Sequence, residues 1–143
     1  MVEPSDISTA VLARISGDPT LSAAIPGDVW YGRAPEGASR PYGTVTVDAD
    51  DPERADVNYF RRFGVTLTVY MASTEDVPGV QRGLEELFEQ KGSLLTLPAA
   101  SGGTILSCVV TSPNLELDPE LRSGVDVARV VVGLEVRVWG AYP

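Results

Sequence analysis

The segment that most constrains this chain lies near its C-terminus, from residue 125 to residue 139. Its sequence, VDVARVVVGLEVRVW, places apolar residues on six alternate positions: Ala128, Val130, Val132, Leu134, Val136 and Val138. Alternation with a period of two is typical of a β-strand with one buried face. Because a single strand cannot bury that face alone, the pattern predicts a sheet of several strands covered by another layer.

A second segment, residues 63–72 (FGVTLTVYMA), provides a matching neighbour for this strand. Its apolar residues share one face: Phe63, Val65, Leu67, Val69 and Met71. Threonine and tyrosine occupy the other face, and both are common in strands. Further strands are predicted at residues 29–31, 42–48 and 104–112, with a short one at 94–97.

Two segments have the period of an amphipathic helix. The first has an inward stripe at Ile7, Val11 and Ile15, with Ser5 or Asp6 as the expected N-cap. The second spans residues 77–90 and has a stripe of five apolar residues: Val77, Val80, Leu84, Leu87 and Phe88. A short helical turn is also expected after Asp18-Pro19, where a capping residue precedes a proline at the first helical position.

Two polar connections separate the predicted strands, residues 49–60 and residues 113–124. Hairpin-like connections of this kind favour antiparallel pairing over crossover units. We therefore expect one domain over residues 1–143 with an α+β fold. It is a mostly antiparallel β-sheet with two main helices packed on one face, an α/β sandwich.

Composition excludes several classes of function. Twenty acidic residues against eleven basic ones give a formal charge of −9, which disfavours nonspecific binding to DNA or to an anionic membrane. Cys108 is the single cysteine, so an intrachain disulfide is excluded, and its place in a predicted strand favours a buried thiol over a nucleophile. The N-terminal residues are amphipathic and acidic, unlike a signal peptide or a membrane span.

The chain contains no histidine, the commonest general base and metal ligand. Phosphate-binding glycine motifs and Cys clusters are also absent from the sequence. The acidic segment 48–56 (DADDPERAD) could hold a hard cation, but it lacks the glycine and terminal glutamate of a calcium loop. A solvated loop or a protein contact is the favoured interpretation, so no catalytic residue, cofactor or metal site is predicted.

The order of segments resembles the small tail-completion, or tail-terminator, proteins of long-tailed bacteriophages. A short N-terminal helix is followed by DVWYGRAPEGASRPYGTVTV, then by FRRFGVTLTVYMAS, the helix VPGVQRGLEELFEQ and a closing β-hairpin that ends in LEVRVW. The similarity extends from about Leu12 to Trp139 and rests on the order and pattern of these blocks. In the two polar connections the chain has a sequence of its own, so the family's contact residues do not transfer there.

This resemblance implies a structural virion protein located in the tail or neck after synthesis in the host cytoplasm. The implied assembly is a homo-oligomeric ring, a hexamer, that caps the head-proximal end of the tail tube. Its partners would be the tail tube protein and a head-completion, stopper or connector protein. DNA would pass through the bore without specific binding, which acidic walls favour, and no membrane is involved.

Other interpretations remain open at this point. The chain could be another phage neck protein, such as a stopper or head-closure subunit, or a small cytosolic α+β binding or regulatory module. An enzyme is the least favoured class.

The candidate interface residues come from the acidic connection and from arginines that could meet it across a subunit boundary. The carboxylates are Asp50, Asp51, Glu53 and Asp56, and the arginines are Arg33, Arg61 and Arg62. Carboxylates so close in sequence repel one another unless water or a cationic partner surrounds them. We therefore expect them to be exposed and mobile in the isolated subunit. In the assembled ring we expect them to contact an adjacent subunit or the tail tube, with the three arginines of a neighbour as candidate partners.

Overall fold

The computed structural model describes residues 1–72, 77–89, 95–118 and 127–142. Three helices lie in these ranges: α1 (Pro4–Ser16), α2 (Pro19–Ala24) and α3 (Val77–Glu89). The strands are β1 (Val29–Tyr31), β2 (Tyr42–Ala49), β3 (Glu53–Ala55), β4 (Asn58–Ala72), β5 (Gly103–Asp118) and β6 (Val127–Ala141). A 3₁₀ turn, Ala99–Ser101, precedes β5.

The six strands form one sheet in the order β1-β2-β4-β6-β5, and β3 pairs with the first residues of β4. All pairs are antiparallel except β1–β2, which is parallel. The long strand predicted near the C-terminus is β6, and it lies between β4 and β5 as expected for a central strand. The predicted α+β fold is confirmed.

The core lies between one face of this sheet and the helices. Val130, Val132, Leu134, Val136 and Val138 of β6 are buried, as are the five predicted inward residues of β4. α1 packs on β2 and β4, and α3 packs on β5 and β6. The predicted stripes of α1 and α3 are buried in the same cluster. The side chain of Ala128 lies outside the described residues.

The start of α1 differs from the prediction. Glu3, not Ser5 or Asp6, is the N-cap, because Pro4 takes the first helical position, where a proline needs no hydrogen-bond acceptor. Asp6 instead stands three residues after the cap, and its Oδ2 accepts the N–H of Glu3 at 2.8 Å. The predicted cap of α2 is confirmed, since Oδ1 of Asp18 accepts the N–H of Leu21 at 3.0 Å.

Two predicted connections were wrong in part. Residues 113–118 continue β5 and pair with β6 from Val132 to Val127, so they are not a polar connection. Residues 49–60 contain the short strand β3, which forms a hairpin with β4 through a turn at Asp56 and Val57. Residues 119–124 of the former connection lie outside the described part of the chain.

The predicted strand at residues 94–97 is also wrong where the structure describes it. Residues 95–98 have no strand pairing and lead into the 3₁₀ turn. Leu95 is buried in the core, so this apolar residue contributes to packing although it forms no strand pair. Leu94 lies outside the described residues. So do residues 73–76, where the sequence offers several caps for α3: Ser73, Thr74, Glu75 and Asp76.

Val132→Asp should abolish folding, because Val132 is fully buried in the centre of β6. An unpaired charge there costs several kcal/mol, comparable to the stability of about 5–15 kcal/mol typical of a domain. Val131→Asp is the matched control, since the neighbouring side chain lies on the opposite, partly exposed face. Circular dichroism melting should show a cooperative transition for the control only. A cooperative melt of soluble Val132→Asp protein would contradict the assignment of the buried face.

Candidate functional site: the open-face groove

The second face of the sheet is open. The described helices pack on the core face, so the opposite face presents side chains to solvent. Its centre is lined by threonines of β2 and β4, and its ends carry charges and aromatic rings. Cross-strand pairs on this face include Thr44 with Thr68, Thr66 with Gly133, and Arg62 with Arg137.

A concavity of about 490 Å³ lies at one end of this face, between the β3 hairpin and β5. Its lining residues are Asp50, Asp51, Glu53, Phe60, Arg61, Arg62, Leu106, Arg137 and Val138. We call this concavity the open-face groove. It combines acidic, basic and apolar groups, which is typical of protein contact surfaces rather than of enclosed small-molecule sites.

Five of the seven predicted interface residues line the open-face groove. Asp51 and Glu53 are exposed, as predicted, and neither has an ion pair among the described residues. The remaining two, Asp56 and Arg33, are not part of the groove. The acidic segment thus does form a surface, but a hairpin shapes it instead of an irregular loop.

Arg62 and Asp50 form an ion pair within one chain. Nη2 of Arg62 lies 2.6 Å from Oδ2 of Asp50, and its Nε donates to the same oxygen at 2.7 Å. The hydrogen bond to Asp50, the charge of Asp50 and the charge of Glu135 raise the pKa of Arg62 above its ordinary value. Both side chains are 55% exposed, so solvent screens the pair and it contributes little to stability.

Arg137 is satisfied in the same way, because its Nε donates to Oε1 of Glu135 at 2.8 Å. Both arginines of the groove floor therefore already have an anion of their own chain. The uncompensated charges of the groove are Asp51 and Glu53 on its hairpin side. An approaching partner therefore meets this negative rim on one side of the groove and the exposed apolar side chains of Phe60 and Leu106 beside it.

Arg61 has a different role from the one predicted. Its Nη1 donates to the carbonyl of Val2 at 2.9 Å and lies 3.3 Å from Oε2 of Glu3. Its Nε donates to the carbonyl of Asp50 at 3.0 Å, and its side chain is only 14% exposed. Arg61 therefore holds the N-terminal residues and the acidic hairpin to the sheet, and its charge already has partners within its own chain.

The N-terminal residues are held at a second point beside Arg61. The N–H of Val2 donates to the hydroxyl of Tyr59 at 2.8 Å, and both residues are fully buried. Gly103 and Gly140 face each other across β5 and β6 next to these side chains. A Cβ at Gly140 would lie 2.6 Å from the Tyr59 ring, so this glycine makes room for the tyrosine.

Asp56 and Arg33 lie in two different connections between strands. Asp56 is in the β3–β4 turn with φ of 59°, a conformation that aspartate tolerates better than most residues. Arg33 is exposed in the Gly/Pro loop, residues 32–41, which precedes β2. Because β1 runs parallel to β2, this loop begins beside Val45 in the middle of β2 and returns to the start of that strand. Arg33 lines a second surface concavity there together with Tyr42, Thr44 and Tyr70.

The sequence did not identify the apolar part of the groove. Phe60, predicted to lie in a polar connection, packs edge-to-face on Trp139 with ring centroids 4.3 Å apart. Continuing the alternation of β4 backwards from residue 64 would have placed Phe60 on the open face beside Trp139. Leu106 gave no such signal, because a β-bulge at this position interrupts the alternation of β5.

Other aromatic residues of the sheet lie in two places. Trp30 and Tyr31 are 36% and 50% exposed on the outer strand β1. Tyr42 stacks on Tyr70 of the open face with ring centroids 5.1 Å apart.

Cys108 is buried on the core face of β5, as predicted. Burial raises the pKa of its thiol to about 11. The group therefore stays protonated at neutral pH, whereas nucleophilic catalysis requires the thiolate.

Among the described residues, no three His, Cys, Asp or Glu side chains are grouped closely enough to hold a metal ion. None of the described helices has the length and apolar character needed to span a membrane.

No protein-family model matches this sequence, and no curated protein matches it either. Solved structures do match. One, described as the virion of a native gene transfer agent particle, has a TM-score of 0.75 and 14% identity over 95% of this chain and 96% of that chain. Another, which carries no functional description, has a TM-score of 0.53 and 18% identity over 100% of this chain and 99% of that chain. At these identities the likeness shows a shared fold.

Arg61→Met should lower the free energy of unfolding by about 2 kcal/mol, because the carbonyls of Val2 and Asp50 lose a charged donor. Arg62→Met is the matched control, because this substitution removes only a solvent-exposed ion pair. The Arg62→Met protein should therefore be as stable as the parent. Urea unfolding of both variants measures the difference. Equal stabilities would contradict the structural role of Arg61.

The burial of Cys108 predicts a loss of stability at alkaline pH. Its thiol has an ordinary pKa of 9.0 in the unfolded chain and about 11 in the folded one. Between these values the unfolded chain loses the proton and the folded chain keeps it, so the free energy of unfolding falls as pH rises. Cys108→Ala should cost on the order of 1 kcal/mol at pH 7 and less at pH 10. Urea unfolding of both proteins at several pH values tests this, and a pH-independent difference would contradict it.

Proposed function

We propose that this chain is a structural protein of a phage or phage-like virion, and that it acts there as a tail terminator. In this role it forms a homo-oligomeric ring, a hexamer, on the head-proximal end of the tail tube. The ring stops tube growth and joins the tube to a head-completion, stopper or connector protein. The likeness to a chain of the gene transfer agent virion, at TM-score 0.75, carries this proposal.

The extent of this likeness supports the proposal. It spans 95% of this chain and 96% of the other, so both chains consist of the same domain with little added to either. A subunit of similar size and topology can occupy a comparable place in a particle. The block order that resembles tail terminators is the second support, and it runs through the same strands and helices.

The open-face groove is a suitable contact surface for such a subunit. Asp51 and Glu53 form a negative rim without a cation of their own chain, so a partner with arginine or lysine at the matching place would be attracted. Phe60 and Leu106, 39% and 53% exposed, provide apolar area next to that rim. The net charge of −9 also favours a bore that does not retain the phosphates of passing DNA.

The direct test is the assembly state of the purified protein, alone and with tail tubes of the particle that encodes it. Light scattering after size exclusion should give a mass several times the 15.2 kDa of one chain, either in solution or after addition of tubes. Negative-stain images should show a ring at one end of the tube. Rings seen only on isolated neck assemblies would instead identify a stopper or head-closure subunit.

A small binding or regulatory module is the alternative, and the open-face groove is the observation that favours it. It predicts a monomer that neither forms rings nor binds tubes. That outcome would overturn the tail-terminator proposal.

Neutralising the groove rim should weaken assembly or tube binding without weakening the fold. Asp51→Asn with Glu53→Gln removes two exposed carboxylates and leaves the Arg62–Asp50 pair intact. The control is Glu86→Gln with Glu89→Gln, which makes the same charge change on the exposed side of α3. Binding measured across a salt series should show a loss for the rim variant that shrinks as salt rises, because screening already weakens the native attraction. Equal binding of parent and rim variant at low salt would exclude this role.

A further inference from the structure

We propose that neighbouring subunits join through the two outer strands of the sheet, an inference that rests on the ring proposed above. β5 of one copy lies against β1 of the next. The Gly/Pro loop that follows β1 then approaches the open-face groove. The partner that pairs with each outer strand is thus a second copy of this chain.

The first ten residues of β5 lack two of the usual protections of an exposed edge strand, charge and proline. Residues 103–112, GTILSCVVTS, contain neither a charged residue nor a proline. Leu106 and Val109 are each 53% exposed on this strand, and none of the described strands pairs with its outer side. Natural proteins protect edge strands with charges or proline, or cover them. The two β-bulges of β5 give limited protection, so a covered edge is the better explanation.

The outer edge of β1 offers a complementary surface. Trp30 and Tyr31 are exposed there, and the strand carries no charge. Beside it, α1, α2 and β1 line an open cavity of about 300 Å³ whose lining is mainly apolar and includes Leu12, Ile15 and Leu21. A cavity of this size accepts an aliphatic side chain such as that of Leu106.

Charge selects the same arrangement. Two copies at −9 repel each other, so contact is favoured where each copy is neutral or where opposite charges meet. Both outer strands are neutral over residues 29–31 and 103–112. The Gly/Pro loop beside β1 carries exposed Arg33 and Arg40 against Glu36. The open-face groove extends to Leu106 of β5, and its rim holds Asp51 and Glu53. Docking β1 on β5 with the loop beside Leu106 therefore places a loop of net positive charge next to a groove whose opposite wall is anionic.

The positions of the two strands give the contact its symmetry. β1 and β5 are at opposite ends of the strand order, so the contact joins two different surfaces. A contact of this kind is heterologous, and it produces a ring when the rotation between copies closes. Pairing of β5 with a second β5 would instead be isologous and would stop at a dimer.

Thiol cross-linking tests this assignment. In a Cys108→Ala background, Tyr31→Cys and Leu106→Cys proteins are prepared separately, and both positions are exposed in the subunit. A short bismaleimide is added to each protein alone and to their mixture, on the ring in solution or on tail tubes. The mixture should give at least tenfold more cross-linked dimer than either protein alone. A protein with both substitutions should give a ladder of covalent oligomers.

The matched control mixes Tyr31→Cys with Glu86→Cys, which places the second thiol on the exposed side of α3. Efficient cross-linking of Leu106→Cys alone would show β5–β5 pairing and overturn the proposal. A ring of normal mass without cross-links in the mixture would overturn it too, while leaving the tail-terminator function intact. A chain that assembles neither alone nor on tubes would overturn both.

Discussion

Burial of one face of β6 is the interaction on which the rest of the molecule depends. Val132 and its alternate neighbours are fully removed from water by β4, β5 and the helices above them. β4 and β5 have no ladder with each other, so each is placed by its register with β6. The positions of the groove walls follow from those two registers.

The alternation of side chains along β4 separates residues that stabilise from residues that are free to bind. Arg61 and Arg62 are adjacent and chemically identical, yet one is turned towards the N-terminal residues and the other towards solvent. A register shift of one residue would exchange their roles. The binding surface of this protein is therefore determined by the same packing that determines its core.

The strongest sequence patterns were sufficient for the sheet and the helices, because periods of two and 3.6 report burial directly. The β3 hairpin was missed since its carboxylates dominate the local composition. The strand at residues 113–118 was missed for a related reason. Its proline and two acids are typical of a loop, and the strand forms because β6 provides a pairing partner. The contact between Arg61 and Val2 could not be predicted from the sequence, because the two residues are 59 positions apart and only the folded chain brings them together.

The sheet order also has a consequence for synthesis in the cell. β6 leaves the ribosome after β2, β4 and β5, yet it lies between the last two. Until it emerges, the nascent chain can form the β2–β4 pair but presents the unpaired edge of β4 and the uncharged residues 103–112 of β5 to solvent. Folding of this domain is therefore completed only once β6 has been released, and chaperone binding during that interval would protect both edges from association with other chains.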